Sequence, residues 1–297
     1  MEGADHLERM RHIAQRVNSI PTLPVVMTKI IEMVDNPNTT AGQLADFISR
    51  DQALSMKILR LANSAFYGFP QKIGTINLAI VVLGFQSVKD LGLSAAVVET
   101  LHTDQFGRDI DINKFWIHSI AVAAGCKILA RGANIAISGE IFIAGLLHDI
   151  GKLVLLRYLA DEFREANMVA IRKKQELYKA ELEILGFCHA DLGGWLAEQW
   201  SLPFHQSNAI YYHPYPWLSF REPNLAMLVN FANVLAHKAG YNSDLDGGAL
   251  AELHPKVVTY LKLKKSEQDE VDWQFYLDAL SEEMRRASGF LTMLKSK

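Results

Sequence analysis

A histidine–aspartate pair, His148-Asp149, lies inside the run Ile141 to Leu156, whose other residues are nearly all apolar. A carboxylate buried without a partner costs several kcal/mol even after relaxation. Asp149 therefore needs positive compensation, from a metal ion or from Lys152 three residues further along the same predicted helix. His118 sits in Phe115-Trp116-Ile117-His118-Ser119-Ile120, a stretch apolar on nearly every side. A helix apolar all round is a buried one. His118 is thus either a hydrogen-bonded core histidine or a ligand. His213 closes Ile210-Tyr211-Tyr212 just before Pro214, at an expected helix end. His189 opens another helix beside Asp191, where a cap-region role competes with ligation. His6, His12, His102, His205, His237 and His254 have polar or terminal neighbours and read as structural or solvent-facing.

The elements that must position these residues are helices. No alternating apolar and polar run bounded by turn dipeptides is present, whereas helical spacing recurs throughout. Amphipathic patterning predicts a helix over 1–18, broken by Ser19-Ile20-Pro21-Thr22-Leu23-Pro24. Further helices are predicted over Val25–Val34, Gly42–Ser49 behind a Thr40 cap, from Asp51 to about Asn63, over Thr75–Leu83 and over Ser87–Leu101. The polar segment Thr103–Asp111 marks a boundary. Beyond it come Asn113–Arg131, one continuous helix Gly139–Tyr158, then Asp161–Lys174, Tyr178–Leu185, 189–200 ending before Pro203, Phe204–Tyr212 and Asn224–Gly240. Residues 241–255 read as a loose acidic segment, and Val257–Lys297 as one or two amphipathic helices. The expected organisation is all-α: an N-terminal helical lobe over 1–102, a helical core over 103–240 and a C-terminal helical tail over 241–297.

Composition removes several function classes. The chain has 297 residues, 49% hydrophobic and 21% charged, with a net charge of −3 and a pI near 6.4. A non-specific nucleic-acid binder shows a basic excess or stripe. The one dense basic cluster, Arg172-Lys173-Lys174, lies among Glu165, Glu176 and Glu181 and reads as a solvated helix face. The helices over 41–63 could mimic a helix-turn-helix, but the second carries no row of Arg or Lys, which argues against nucleic acid as a partner. Cys126 and Cys188 form no CxxC and suit two buried thiols in a reducing compartment. The N-terminus lacks an apolar signal core. The apolar stretch Ile76–Phe85 falls short of the ~20 residues a membrane helix needs. The expected setting is the cytoplasm, away from membranes.

The order His118, His148-Asp149, His189, His213 on successive helices resembles the HD phosphohydrolase superfamily, in which such residues build a metal site. The string His148-Asp149-Ile150-Gly151-Lys152 resembles the HD-GYP form, whose lysine contacts substrate phosphate. Ile20-Pro21-Thr22-Leu23-Pro24, Ile48-Ser49-Arg50-Asp51-Gln52-Ala53-Leu54, Leu61 to Tyr67, Leu83-Gly84 and Trp200-Ser201-Leu202-Pro203 resemble hallmarks of its bacterial-type HDOD branch, over roughly residues 15–240. The resemblance implies an HD-like helical core holding at most one divalent ion, with His118, His148, Asp149 and His213 as ligands and His189 and Asn233 as further candidates; without an ion, the same residues form a buried polar network that fixes helix geometry. Imidazoles with carboxylates suit iron, manganese or zinc, and a bound ion lowers the pKa of its water. Three departures matter. Asn233 stands where the final metal aspartate belongs and supplies an oxygen without charge. Tyr212 replaces a second histidine, and Tyr215-Pro216 lacks the HD-GYP glycines. The implied function is a regulatory output protein with a degenerate site and no hydrolase activity, working with signalling proteins or a nucleotide second messenger. The alternative is a metal-dependent phosphohydrolase acting on a nucleotide or cyclic dinucleotide, with Asp149 and Lys152 catalytic. Oligomeric state is left open.

Overall fold

In the computed structural model, residues 21–64, 67, 69, 71–101, 110–132, 139–247 and 253–287 are described, together with 13, 16, 17 and 291. The predicted helix over 1–18 falls mostly outside them, as do His6, His12, His102 and most of the boundary segment at 103–109. Side-chain caps set the first helices. Before α1 (Val25–Asp35), Pro24 fixes the entry. A reciprocal Thr40–Gln43 capping box starts α2 (Ala41–Ser49). Asp51 caps α3 (Gln52–Ala62) and Thr75 caps α4 (Ile76–Leu83). Gly84, at φ 85°, turns the chain into α5 (Phe85–Leu101).

The remaining helices are α6 (Ile112–Gly132), α7 (Gly139–Leu147), α8 (Ile150–Tyr158), α9 (Ala160–Lys173), α10 (Leu177–Leu185), α11 (His189–Gln199), α12 (Phe204–Tyr212), α13 (Pro223–Lys238), α14 (Pro255–Leu261) and α15 (Trp273–Arg286). A lone antiparallel bridge, Lys265 with Val271, is the only β pairing among the described residues. The fold is all-helical, as the absence of strand patterning predicts. No helix among the described residues is long and apolar enough to cross a membrane.

One expectation is corrected. The stretch Gly139–Tyr158 is two helices, α7 and α8, broken at His148-Asp149. Apolar periodicity runs through the break unchanged, so the pattern conceals it. The cause is a side chain: His148 Nδ1 lies 2.8 Å from the Gly145 carbonyl oxygen, three residues back. It occupies an acceptor that the backbone of a continuing helix uses.

A central layer of α6, α7 and α13 packs together, with α11 and α12 paired beside it and α8 against α11. One hydrophobic core runs from Ile13 through Phe115, Trp116 and Phe231 to Ala287. The N-terminal helices join it through α5 against α7, and Trp200 Nε1 donates to the Pro21 carbonyl at 2.9 Å.

Candidate metal centre

Two close helix approaches build the centre. A Cβ on Gly145 of α7 would lie 2.6 Å from Ala123 Cα, so glycine lets α7 settle onto α6. A Cβ on Gly151 of α8 would lie 1.9 Å from the His189 carbonyl oxygen, so α8 touches the start of α11 only because no side chain intervenes. These contacts bring together His118 from mid-α6, His148-Asp149 from the α7–α8 break, His189 from the first residue of α11 and His213 from the end of α12. Asn230, Asn233 and His237 come from α13, and Asp246 from the loop beyond it.

The rings are anchored from behind. His118 Nδ1 lies 2.7 Å from the Tyr241 carbonyl oxygen, and His213 Nδ1 lies 2.8 Å from that of Ile210. His148 repeats the His213 device, and His189 Nδ1 lies 2.6 Å from Glu181 Oε2. Carbonyls and carboxylates only accept, so each Nδ1 carries the proton. The four Nε2 atoms therefore face inward, toward Asp149. His148 and His118 reach Asp149 Oδ2 at 3.2 and 3.7 Å, while His189 and His213 reach Oδ1 at 3.4 and 3.5 Å. His189 Nε2 and His213 Nε2 are themselves 3.4 Å apart.

Asp149 Oδ1, His118 Nε2 and His148 Nε2 are buried with no hydrogen-bond partner. Burial lowers His118 to about 4 and His213 to about 3, so both imidazoles are neutral near neutral pH. Burial would raise Asp149, but His148 and Lys152 outweigh it and hold the carboxyl well below its usual range. Imidazole nitrogens converging on an ionised carboxylate are the donor set of a divalent transition-metal ion, and the residues present fit one.

Lys152 Nζ lies 2.7 Å from Asp149 Oδ2 and 2.9 Å from Asp246 Oδ1. Burial, which would lower this lysine, is outweighed by Asp149 and Asp246, and the ammonium is held charged. Asp246 in turn falls to about 2: burial opposes the shift, and Lys152, His118 and His237 impose it. Both partners considered for Asp149 are thus in place around it, an ammonium and a ligand set. A cavity of about 50 Å³ adjoins the carboxylate, lined by Glu176, Tyr178, His213, Asn233, His237 and Asp246 among others.

Every residue expected at the site is in the cluster or at its cavity. Asn233 lines the cavity, and its Oδ1 is buried without a partner. Asp191 does not hold His189; it accepts from the Cys188 N–H at 2.8 Å, leaving His189 to Glu181. His237, read from sequence as structural or solvent-facing, is a correction. Its ring lies 4.8 Å from that of His118, tilted by 40°, and its Nδ1 bonds Asn242 Oδ1 at 2.9 Å with Asp246 Oδ2 3.8 Å away. Asp246 was concealed in the acidic loop. His205, by contrast, faces Glu140 at 3.1 Å, and His254 stacks on Trp217 at 3.9 Å, both away from the centre.

Known proteins share this architecture. A crystal structure of a Shewanella amazonensis SB2B protein named "Putative phosphohydrolase" is 25% identical with a TM-score of 0.73, covering 95% of this chain and 98% of that one. An HDOD domain protein of unknown function from Geobacter sulfurreducens is 24% identical with a TM-score of 0.74, covering 97% and 99%. An uncharacterized protein of Treponema pallidum (strain Nichols) is 24% identical over 259 residues, 86% of this chain and 48% of that protein, so the chain spans about half the length of that relative. The family model for the HDOD domain matches residues 20–216, and the chain belongs to the HDOD family.

Proposed function

We propose that this protein is a signalling output module whose HD-type centre holds one divalent ion and does not turn over phosphodiesters. The observation that carries the reading is the commitment of Lys152. The HD-GYP resemblance assigns that lysine to substrate phosphate, yet here its ammonium is buried between two carboxylates at 2.7 and 2.9 Å. Freeing it would strand Asp149 and Asp246, at several kcal/mol. Two further observations support the reading. Asn233 offers the centre an oxygen without the charge of an aspartate. The adjoining cavity of about 50 Å³ has room for little beyond a water, whereas small-molecule sites run to roughly 300–1,000 Å³.

His118, His148, Asp149 and His213 would hold the ion, with His189 and Asn233 at its margin. The ion would supply Lewis acidity and lower the pKa of a bound water. The chain's own residues fix imidazole tautomers through backbone carbonyls and keep Asp149 ionised. Such a centre braces α6, α7, α8, α11 and α12 against one another, and the output then resides in surfaces that meet a signalling partner. The intact His148-Asp149 pair favours the second reading, hydrolysis of a nucleotide or cyclic dinucleotide. Elemental analysis of purified protein, paired with an assay on bis(4-nitrophenyl) phosphate and a cyclic dinucleotide in Mn²⁺, separates the two. The expected result is one ion per chain and no turnover above buffer. Turnover that disappears in Asp149→Ala overturns the proposal in favour of hydrolysis.

A further inference from the structure

The centre has a second side, bounded by Asp246 and His237, to which the one-ion reading assigns no ligand. Asp246 Oδ1 and Asp149 Oδ2 face each other across the Lys152 ammonium, at 2.9 and 2.7 Å. His237 and His118 border the same space. One donor atom each from His118, His237 and Asp246 lies within 4.8 Å of the others. Asp246 is itself positioned, since its Oδ2 accepts the Ser243 N–H at 2.7 Å. The same loop supplies the Tyr241 carbonyl that orients His118. Asn233 Oδ1, buried and unpartnered, lines the cavity beside it.

Two ionised carboxylates and imidazole nitrogen around one buried position form a cation site, and here its occupant is a side chain. We infer that Lys152 is a tethered cation filling a second ion position, bounded by Asp149, Asp246, His118 and His237, and that it thereby restricts the centre to one metal ion. The inference rests on the one-ion reading above and gives it a cause. An ammonium bridges a carboxylate pair as a metal does, though with half the charge of a divalent ion, and it has no vacant orbital to polarise a phosphoryl oxygen. Nor can it share a bridging hydroxide, the device of two-metal hydrolysis. Being covalently attached, it is present at any metal concentration.

Removing the tethered charge should open the position to a free ion. Metal-free wild type, Lys152→Met and Lys152→Met/Asp246→Asn are dialysed against Mn²⁺, and bound metal is counted by elemental analysis. The expected counts are one ion, two ions and one ion, and the two-ion form should show the spin-coupled electron paramagnetic resonance spectrum of neighbouring Mn²⁺ ions. A Lys152→Met protein that binds only one ion overturns this inference and leaves the one-ion reading standing. A wild type that binds none overturns that reading and takes this inference with it. Lys152→Met uncovers a buried carboxylate pair and can fail to fold without metal, so a second readout is the Mn²⁺-induced rise in melting temperature. It should be larger in Lys152→Met than in wild type, because two binding events are linked to its folding. An equal rise in both proteins contradicts the inference.

Discussion

His148 and His213 use one local device: each closes a helix and donates Nδ1–H to the carbonyl three residues back, which aims Nε2 out of the helix end. Asp149 receives both rings. Asp149→Asn keeps the shape and removes the charge, leaving Lys152 with Asp246 alone. The expected result is a destabilisation of about 3 kcal/mol in urea unfolding and loss of bound metal; wild-type stability with full metal content would contradict the geometry. A second acid makes a pH prediction. Asp90 of α5 is buried with both oxygens unpartnered, and burial, against Lys89 and helped by Glu140, raises it to about 7. The unfolded carboxyl ionises near 3.8, so stability from this group is present at low pH and is lost as pH rises through about 7. Asp90→Asn should therefore gain on wild type by on the order of 3 kcal/mol between about pH 5 and about pH 8. A pH-independent difference would show that Asp90 has a partner. The histidines at 118, 148, 189 and 213 were legible because polar residues in apolar surroundings demand an account. His237 and Asp246 were not, because they sit among Lys238, Ser243 and Asp244, where a charged residue needs no explanation. Only the closure of the 240–247 loop over α6 reveals them.

At the scale of elements, helix starts are written in local chemistry. Thr40, Asp51 and Thr75 each precede an apolar-periodic run, and each caps a helix. The break between α7 and α8 follows a different rule. Its determinant is a side chain drawn back onto a carbonyl by the demands of the centre, and the flanking apolar residues are buried on both sides of it. Glycine placement is the other element-level determinant, and sequence shows the residue without the reason. Gly151→Ala would set a methyl against the His189 carbonyl. The expected cost is about 3 kcal/mol of stability, together with weaker metal binding as α8 and α11 separate. A melting temperature and metal content equal to wild type would mean that the two helices do not approach as described.

Across the whole molecule, the C-terminal segment braces the helix that carries His118. Glu283 of α15 is buried against α6, where it meets Lys127 at 3.2 Å, Arg131 at 2.5 Å and, from its own helix, Arg286 at 3.3 Å. Trp273 stacks on Phe231 of α13, and the Lys238 ammonium lies 4.6 Å from the Trp273 ring centroid. Glu283→Ala removes the buried carboxylate that Lys127, Arg131 and Arg286 share and should cost about 3 kcal/mol in chemical denaturation; an unchanged unfolding midpoint would show that the tail does not brace α6. The amphipathic pattern of this segment announces helices, but not which surface receives them, because that depends on cations spaced along α6 and α15. The imidazole nitrogens around Asp149 are arranged to receive a metal ion. Anomalous scattering from crystals, recorded across the iron, manganese and zinc edges, tests it most directly. The predicted result is one peak among the Nε2 atoms of His118, His148 and His213 and the Asp149 carboxylate. Featureless density there at all three edges, in protein dialysed with those metals, would contradict it.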